Sequence, residues 1–482
     1  MAQPTKLKAG ALKLPALLMQ GITHIAPAVG LLLTMQVVAS WAGIATPLAY
    51  TIAFCVVLTL GISLAQLARH LPSAGGYYTY VSRTVHPYAG FLTAWLYFLY
   101  DPTGTAINLA FMGYWLDGTV KAEYGLHFPW WAFLLASTAL VTFLVYRGIE
   151  ISTRAMAILA LAEVAIVVGL AVSCLFLPGE GGVNFSSFLP VSAPNARGLY
   201  LGVVFSIFAF TGFESVAPLA EETENPRRNL PRGIVGSILL MGAFYLFCSW
   251  AVLVGWGTDR LESFVRSSEN PSFVVARRLW GGAWILVFLA VLKSILAVSI
   301  ACTNAATRVF FAMGRAGALP GFLAQVHPRY QTPANAIWLQ AVLTLAIGLG
   351  LGFWIGPDQE FYFMAVVITL GMALVYSAGN AGVIRLYTSE RRSEFRWLPH
   401  CVFPLVSTAA LIWVGYRSVF PLPPPPIGYA PWLVAVWLAL GMILVWVFRR
   451  AGREDWVLRA GQAAYEQSAE VEIPRASEMK GA

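Results

Sequence analysis

The chain contains 482 residues, of which 58% are hydrophobic and 11% are charged, with a formal net charge of +8. A soluble domain has about 45–50% apolar and about 25% charged residues, so this composition excludes an ordinary water-soluble enzyme. The mean hydropathy of +0.69 indicates instead that most of the chain lies in a lipid bilayer.

Twelve apolar segments are candidates for transmembrane helices, which need about 20 mostly apolar residues each. In chain order they lie approximately at 15–40, 44–68, 88–114, 129–147, 154–177, 199–219, 233–256, 282–308, 335–354, 361–385, 401–420 and 431–448. The first segment is too long for the core of a signal peptide, so we expect it to be retained. The predicted fold is an all-α integral membrane protein with twelve transmembrane helices.

The basic residues divide unequally between the two sides of the membrane. If the amino terminus is cytoplasmic, 23 of the 31 Lys and Arg residues lie in cytoplasmic segments, seven lie outside, and Lys293 alone falls within a span. Cytoplasmic segments of membrane proteins carry such an excess. The sequence therefore predicts that segment 1–14 and the tail 449–482 are both cytoplasmic. The mixed-charge connector 221–232, which contains two prolines, is expected to be a solvated loop on the same side.

Spans one and six carry helix-breaking residues at their centres. Span one contains Pro27 within the run 21–30, which begins and ends with glycine, and span six contains the run 208–214, followed by Pro218. The freed amides of such breaks can bind a carboxylate, and the freed carbonyls can bind an ammonium, so a zwitterion fits. The alternative is that both runs are simple kinks, since Pro and Gly are common in transmembrane helices.

The two breaks lie five spans apart, and five is an odd number. Spans one to five (15–185) and six to ten (186–396) would therefore form two units of opposite orientation, as an inverted repeat requires. Segment 397–448, with spans eleven and twelve, would lie outside the repeat.

Four ordered motifs resemble one known family. They are FAFTGFES in span six, the following EETENPRRNLPRGI, LPSAGGYYTYVSR at 71–83, and NAATRVFFAMGRAGALPGFLAQVHPRYQTPANA at 304–336. Together they are similar to bacterial members of the amino acid–polyamine–organocation permease superfamily, and the similarity covers nearly the whole chain.

The resemblance implies a LeuT-type 5+5 inverted repeat with substrate between spans one, three, six, eight and ten. It also implies that the first break contacts the substrate carboxylate or amine, that the second break lines the site, and that Phe210 or Phe213 closes over it as an aromatic gate. The residues carried over are Ile25, Ala26, Pro27, Ala28 and Gly30, and Phe210, Thr211, Gly212 and Phe213. Many relatives have a Gly-Ser/Ala-Gly break in span one, where this chain has Ala26-Pro27-Ala28, so the exact amides that would bind a carboxylate stay open.

Ionisable side chains within spans are candidates for function because burying a charge in a membrane is costly. Glu163 lies about 15 Å from the inner end of span five, and Lys293 about 16 Å from the outer end of span eight, so both are near the midplane. We expect them to pair and Glu163 to couple proton entry to transport; a static ion pair that fixes helix packing is the alternative.

Five further residues in or beside the spans are candidates for function. Asp101 in span three could contact a substrate ammonium or pair with Lys293, and His24 beside the first break could sense protons. Ser299 and Thr303, four residues apart in span eight, could offer hydroxyls to an ion or water. Glu214 is expected to cap freed amides of the second break.

The leading function is therefore a secondary transporter that moves an amino acid or related amine by alternating access, driven by protons or by exchange. A polyamine transporter, an exchanger and a permease-like sensor are the alternatives. The five cysteines show no CxxC spacing and no HExxH or GxSxG motif occurs, so neither a disulfide, a metal site, a cofactor nor an enzyme is predicted. The expected partners are a small-molecule substrate, protons and the bilayer, without nucleic acid; the oligomeric state is left open.

Overall fold

The computed structural model describes residues 7–267 and 269–452, and this part of the chain is helical and contains no β-strand. Two isolated β-bridges join Leu12 to Thr223 and Glu180 to Gly257. The prediction of an all-α protein is therefore confirmed for the described residues. Residues 1–6 of the predicted amino-terminal segment and 453–482 of the predicted tail lie outside them.

Seventeen α-helices are numbered here in chain order within the described residues. They are α1 (Leu14–Ile25), α2 (Met35–Ala42), α3 (Thr46–His70), α4 (Tyr77–Thr84), α5 (Pro87–Tyr97), α6 (Asp101–Tyr124), α7 (Trp130–Tyr146), α8 (Ile149–Phe176), α9 (Ala196–Ala209), α10 (Pro226–Trp256), α11 (Leu261–Arg266), α12 (Pro271–Trp280), α13 (Ile285–Arg315), α14 (Ala334–Ile355), α15 (Pro357–Arg385), α16 (Phe403–Val419) and α17 (Ala430–Arg450). Helices α8, α10 and α13 pack around α1, and α2 and α3 pack against α9.

Ten helices in the described part of the chain are long and apolar enough to cross a membrane, judged by length and composition. Two predicted spans are not among the ten. The predicted span 129–147 corresponds to α7, which has 17 residues. The predicted span 88–114 is divided between α5 and α6. The protein is thus a multi-pass membrane protein, while the count of twelve remains a prediction.

The division between α5 and α6 has a local cause. The amides of Leu99 and Tyr100 bond to the carbonyls of Leu96 and Tyr97, which closes a tight turn after α5. Pro102 then occupies the first turn of α6, where a missing amide hydrogen costs nothing. Asp101 therefore lies at the start of a helix and not within one.

Both interruptions predicted in spans one and six are present. In the first, Ala26 adopts a left-handed backbone conformation with φ of 59°, and a short π-helix, Val29–Leu33, follows Pro27. In the second, α9 ends at Ala209, and Gly212 has φ of 115°, a value that favours glycine. The chain then continues as a 3₁₀ helix, Phe213–Glu222.

The connector 221–232 is only in part the solvated loop that the sequence predicted, with exposed residues from Glu224 onward but a buried start. Glu222 is fully buried and accepts two hydrogen bonds from the fully buried Arg308, at 2.9 Å from Nε and 3.2 Å from Nη2. The backbone of Leu12 bonds to Glu222 and Glu224 at 2.9 and 2.8 Å and so covers this segment. The second half of the connector already belongs to α10, because Pro226 can occupy the first position of a helix.

We predict that Glu222→Gln destabilises the folded protein by about 3–5 kcal/mol, because it leaves the guanidinium of Arg308 buried without a counter-charge. The measurement is the free energy of unfolding, or the shift in thermal midpoint, of the purified protein in detergent.

Glu221→Gln is the matched control. Glu221 pairs with Arg315, whose side chain is 15% exposed, so water can replace the lost partner more readily. The control is expected to cost clearly less than Glu222→Gln. Equal losses in the two variants would show that the burial of Arg308 carries no special cost.

Candidate functional site

The two helix breaks lie against each other. A Cβ added to Gly212 would lie 2.7 Å from Cδ2 and 2.8 Å from the carbonyl oxygen of His24, so only glycine permits this approach. The hydroxyl of Tyr245 on α10 lies 3.1 Å from the carbonyl oxygen of Ile25 and 3.0 Å from that of Ala209. A single hydroxyl thus contacts the last carbonyl before each break.

Glu163 of α8 accepts hydrogen bonds at the first break. Its Oε1 accepts hydrogen bonds from the Ala28 amide at 3.3 Å and from the Ser294 hydroxyl at 3.0 Å. The Ser294 hydroxyl also accepts from the Val29 amide at 3.4 Å. The protein's own carboxylate therefore binds an amide freed by Pro27, as expected for an anion at the amino end of a half-helix.

The predicted pairing of Glu163 with Lys293 is wrong in this structure. Lys293 is not among the hydrogen-bond donors to Glu163, and Oε2 of Glu163 is buried without a hydrogen-bond partner in the described part of the chain. Successive residues of an α-helix point about 100° apart. On α13 it is the fully buried Ser294 that faces Glu163, while its neighbour Lys293 is half-buried.

Glu214 accepts a backbone hydrogen bond at the second break. Its Oε2 accepts the Gly212 amide at 3.1 Å, and the Ser215 hydroxyl donates to the Gly212 carbonyl at 2.8 Å. The two aromatic candidates flank this turn and are fully buried: Phe210 packs against Tyr245 with ring centroids 4.8 Å apart, and Phe213 stacks on Tyr376 at 5.7 Å. The freed amides of both breaks thus meet carboxylates of the protein.

Most of the residues predicted to contact substrate are buried at the two breaks. Those that are buried are Ile25, Ala26, Pro27, Ala28, Gly30, Phe210, Gly212 and Phe213. Thr211 is half-buried and donates its hydroxyl to the carbonyl of Phe208 at 2.9 Å. It lines a mostly apolar cleft between α3, α15 and α16.

Asp101 belongs to a fully buried polar cluster that the sequence did not predict. Its Oδ2 accepts a short hydrogen bond from the Tyr97 hydroxyl, and its Oδ1 lies 3.3 Å from Nε2 of His24. The same nitrogen lies 3.2 Å from Sγ of Cys302 and 3.4 Å from the Tyr100 hydroxyl. The predicted pairing of Asp101 with Lys293 is therefore replaced by contacts to α1, α5 and α13.

Ser299 and Thr303 use their hydroxyls within the protein. Ser299 donates to the Ile295 carbonyl and Thr303 to the Ser299 carbonyl, both at 2.8 Å. The Thr303 hydroxyl also lies 3.3 Å from that of Thr105 on α6. Both side chains are buried at the contact between α13 and its neighbours.

A narrow cavity lies beside Glu214 and is lined by Tyr77, Tyr97, Thr93 and Pro218, among others. It has room for about one water molecule. This cavity is therefore too small to hold an amino acid.

Among the residues of this centre that sequence reasoning missed are Tyr245, Ser294 and Cys302. Each lies in a continuous apolar run, where a tyrosine, serine or cysteine ordinarily packs or bonds within its own helix. Ser294 had one available signal, since it adjoins Lys293. Nothing in the sequence distinguishes Tyr245 or Cys302 from other residues of their helices.

Known proteins resemble this chain over most of its length. A family model described as amino acid permease matches residues 16–450. The chain is 26% identical over 452 residues to the low-affinity putrescine importer PlaP of Escherichia coli, covering 90% of this chain and 92% of the importer. It is 25% identical over 445 residues to the methylthioribose transporter of Bacillus subtilis, covering 87% and 88%. It is 26% identical over 334 residues to the branched-chain amino acid permease BcaP of that bacterium, covering 64% and 68%.

We predict that Tyr245→Phe lowers stability by about 1–3 kcal/mol and reduces substrate uptake, because two buried carbonyls at the breaks lose their shared donor. The measurements are the thermal midpoint in detergent and the initial rate of uptake into proteoliposomes.

Tyr80→Phe is the matched control. Tyr80 is fully buried like Tyr245, but its hydroxyl has no hydrogen-bond partner in the described part of the chain. Its removal leaves no carbonyl unpaired, so stability and uptake should be retained. The role assigned to Tyr245 fails if the two variants behave alike.

Proposed function

The chain belongs to the amino acid permease family of membrane transporters, which are not enzymes, and from this premise we propose that it binds its substrate between the two helix breaks. The substrate class is a small amino acid or related amine, carried across the membrane by alternating access. This proposal rests on one observation: the breaks lie side by side, and the Tyr245 hydroxyl contacts a carbonyl of each. Interrupted helices at the repeat interface are the usual substrate sites of such transporters.

The proposed architecture has twelve spans in the cytoplasmic membrane with both termini inside. Spans one to five (15–185) and six to ten (186–396) form the inverted repeat, and 397–448 adds two spans. The proposal counts α5 and α6 as one interrupted span and α7 as a short one. The excess of basic residues in the segments assigned to the cytoplasm supports the orientation.

Charge at the breaks favours a substrate with an ammonium group. The carboxylates of Asp101 and Glu214 are buried near the breaks, and the carbonyls of Ile25 and Ala209 share one hydroxyl. These groups would hold an ammonium, while a substrate carboxylate would compete with Glu163 for the Ala28 amide. Thr211 and the buried aromatic rings of Phe210 and Phe213 would line the remaining surface.

A cationic amine such as a diamine is the second candidate substrate. Binding a cationic amine requires carboxylates that Lys293 does not neutralise. Neither Asp101 nor Glu163 receives a hydrogen bond from Lys293. The similarity to a putrescine importer also supports it. The two candidates differ in whether a substrate carboxylate is needed for binding.

Glu163 is the proposed coupling group. While ionised, it holds the Ala28 amide by a charge-assisted hydrogen bond, and protonation weakens that bond. Proton entry would thus loosen the first break directly, without an ion pair to Lys293. His24, Ser299 and Thr303 remain proposed ion-coupling residues. His24 contacts Asp101.

We expect proteoliposomes containing the purified protein to take up labelled amino acids or diamines from a panel of neutral, cationic and acidic amino acids and polyamines. Uptake of a neutral amino acid supports the first candidate, whereas uptake confined to polyamines supports the second. Uptake of none of these compounds, with or without preloaded vesicles, would contradict the proposed function.

We predict that Glu163→Gln abolishes the stimulation of uptake by an inside-alkaline pH gradient while exchange between preloaded vesicles continues, because glutamine cannot release a proton. Uptake with and without the gradient is the measurement. Glu360→Gln is the control, since Glu360 is also fully buried but lies at the start of α15, outside the breaks. Unchanged gradient dependence in Glu163→Gln would refute the coupling role.

A further inference from the structure

Three side chains with metal-binding atoms meet at the centre of the protein. They are His24 at the end of α1, Asp101 at the start of α6 and Cys302 in α13, and their ligand atoms all lie within 4.8 Å of one another. All three are buried. We propose that His24, Asp101 and Cys302 form a binding site for a divalent transition-metal ion such as Zn²⁺, and that the bound ion arrests transport.

Two of the three distances between ligand atoms already match a coordination sphere, and the third is within 4.8 Å. In a tetrahedral zinc site with bonds of about 2.0–2.1 Å to nitrogen and oxygen and about 2.3 Å to sulfur, neighbouring ligand atoms lie about 3.3–3.6 Å apart. Nε2 of His24 lies 3.3 Å from Oδ1 of Asp101 and 3.2 Å from Sγ of Cys302. Shifts of a few tenths of an ångström would therefore bring these two pairs of ligand atoms to zinc-binding separations.

The ligand atom of Asp101, Oδ1, lies 3.3 Å from Nε2 of His24, beside the position that a bound cation would take. Oδ2 of Asp101 accepts the Tyr97 hydroxyl, whereas its Oδ1 is buried without a hydrogen-bond partner in the described part of the chain. An unsatisfied carboxylate oxygen in a buried site is costly, and a cation would relieve that cost. The Tyr97 hydroxyl would meanwhile hold the carboxylate in position, as outer partners of metal ligands do.

The charges favour a borderline or soft divalent ion. A thiolate and a carboxylate carry two negative charges, and with a neutral imidazole they balance a divalent cation, which suits a buried site. Ca²⁺ and Mg²⁺ prefer oxygen ligands only. Binding would release the thiol proton of Cys302 and leave one coordination position for water.

The consequence for transport follows from the three separate helices. A metal ion would tie α1, α6 and α13 together beside the first break, while alternating access requires the centre to open. This second part rests on the proposed transport function, but metal binding itself does not. The binding experiment therefore stands even if the transport proposal fails.

The test uses the full-length protein in detergent with its purification tag removed, titrated with ZnCl₂ and, separately, with CoCl₂. We expect one tightly bound Zn²⁺ per chain and a thiolate-to-Co²⁺ charge-transfer band in the near ultraviolet. We expect Cys302→Ser and Asp101→Asn to lower zinc affinity by about 100-fold or more, since losing only an outer partner of a ligand costs about 10–100-fold.

Cys248→Ser is the matched control, because Cys248 is a fully buried thiol on α10 outside the cluster. It should retain the affinity of the unmodified protein, and Zn²⁺ should inhibit uptake by the control but not by Cys302→Ser. The proposal is overturned if the unmodified protein binds no stoichiometric Zn²⁺, or if Cys302→Ser binds it equally well. Should Cys302→Ser fail to fold, absence of the thiolate-to-Co²⁺ band in the unmodified protein overturns it instead.

Discussion

A helix interrupted inside a membrane must have its freed amides and carbonyls satisfied by other protein groups, because the hydrocarbon supplies no water. This constraint organises the centre of the molecule. The first break, at Ala26 and Pro27, takes a carboxylate from α8 and a hydroxyl from α13, and the second takes the carboxylate of Glu214. Tyr245 of α10 links the carbonyl sides of the two. The packing of α8, α10 and α13 around α1 is thus required by the breaks themselves.

The same constraint explains why the centre is rich in polar groups. Several polar side chains near the breaks contact groups on other helices, as His24 and Asp101, Glu163 and Ser294, and Tyr245 and Ile25 do. The contacts therefore join separate helices and would be exchanged when those helices move. The buried pair of Glu222 and Arg308 fixes α13 against the segment that follows the second break. This conformation is held by polar contacts at the breaks and at the connector.

Much of the architecture could be predicted from the sequence because a bilayer imposes length and polarity on each span. The positions of both breaks followed from Pro27 and from the glycine in the run around Gly212. The division of the third span at Pro102 was missed, because a proline in the first turn of a helix and a proline within a helix look alike in sequence. The connector at Glu222 was misjudged for a related reason, since its charges suggested solvent and their partner lies 86 residues later.

The sequence by itself determined that the chain spans a membrane, where spans one and six are interrupted, and which carboxylates lie within spans. These features are local, since composition, hydrophobic run length and proline position act on neighbouring residues. Only the tertiary structure decided the partner of each buried group: Ser294 and not Lys293 for Glu163, and His24 and Cys302 for Asp101. The physical reason is that adjacent residues of a helix point about 100° apart, so partner choice depends on how whole helices rotate and pack against one another.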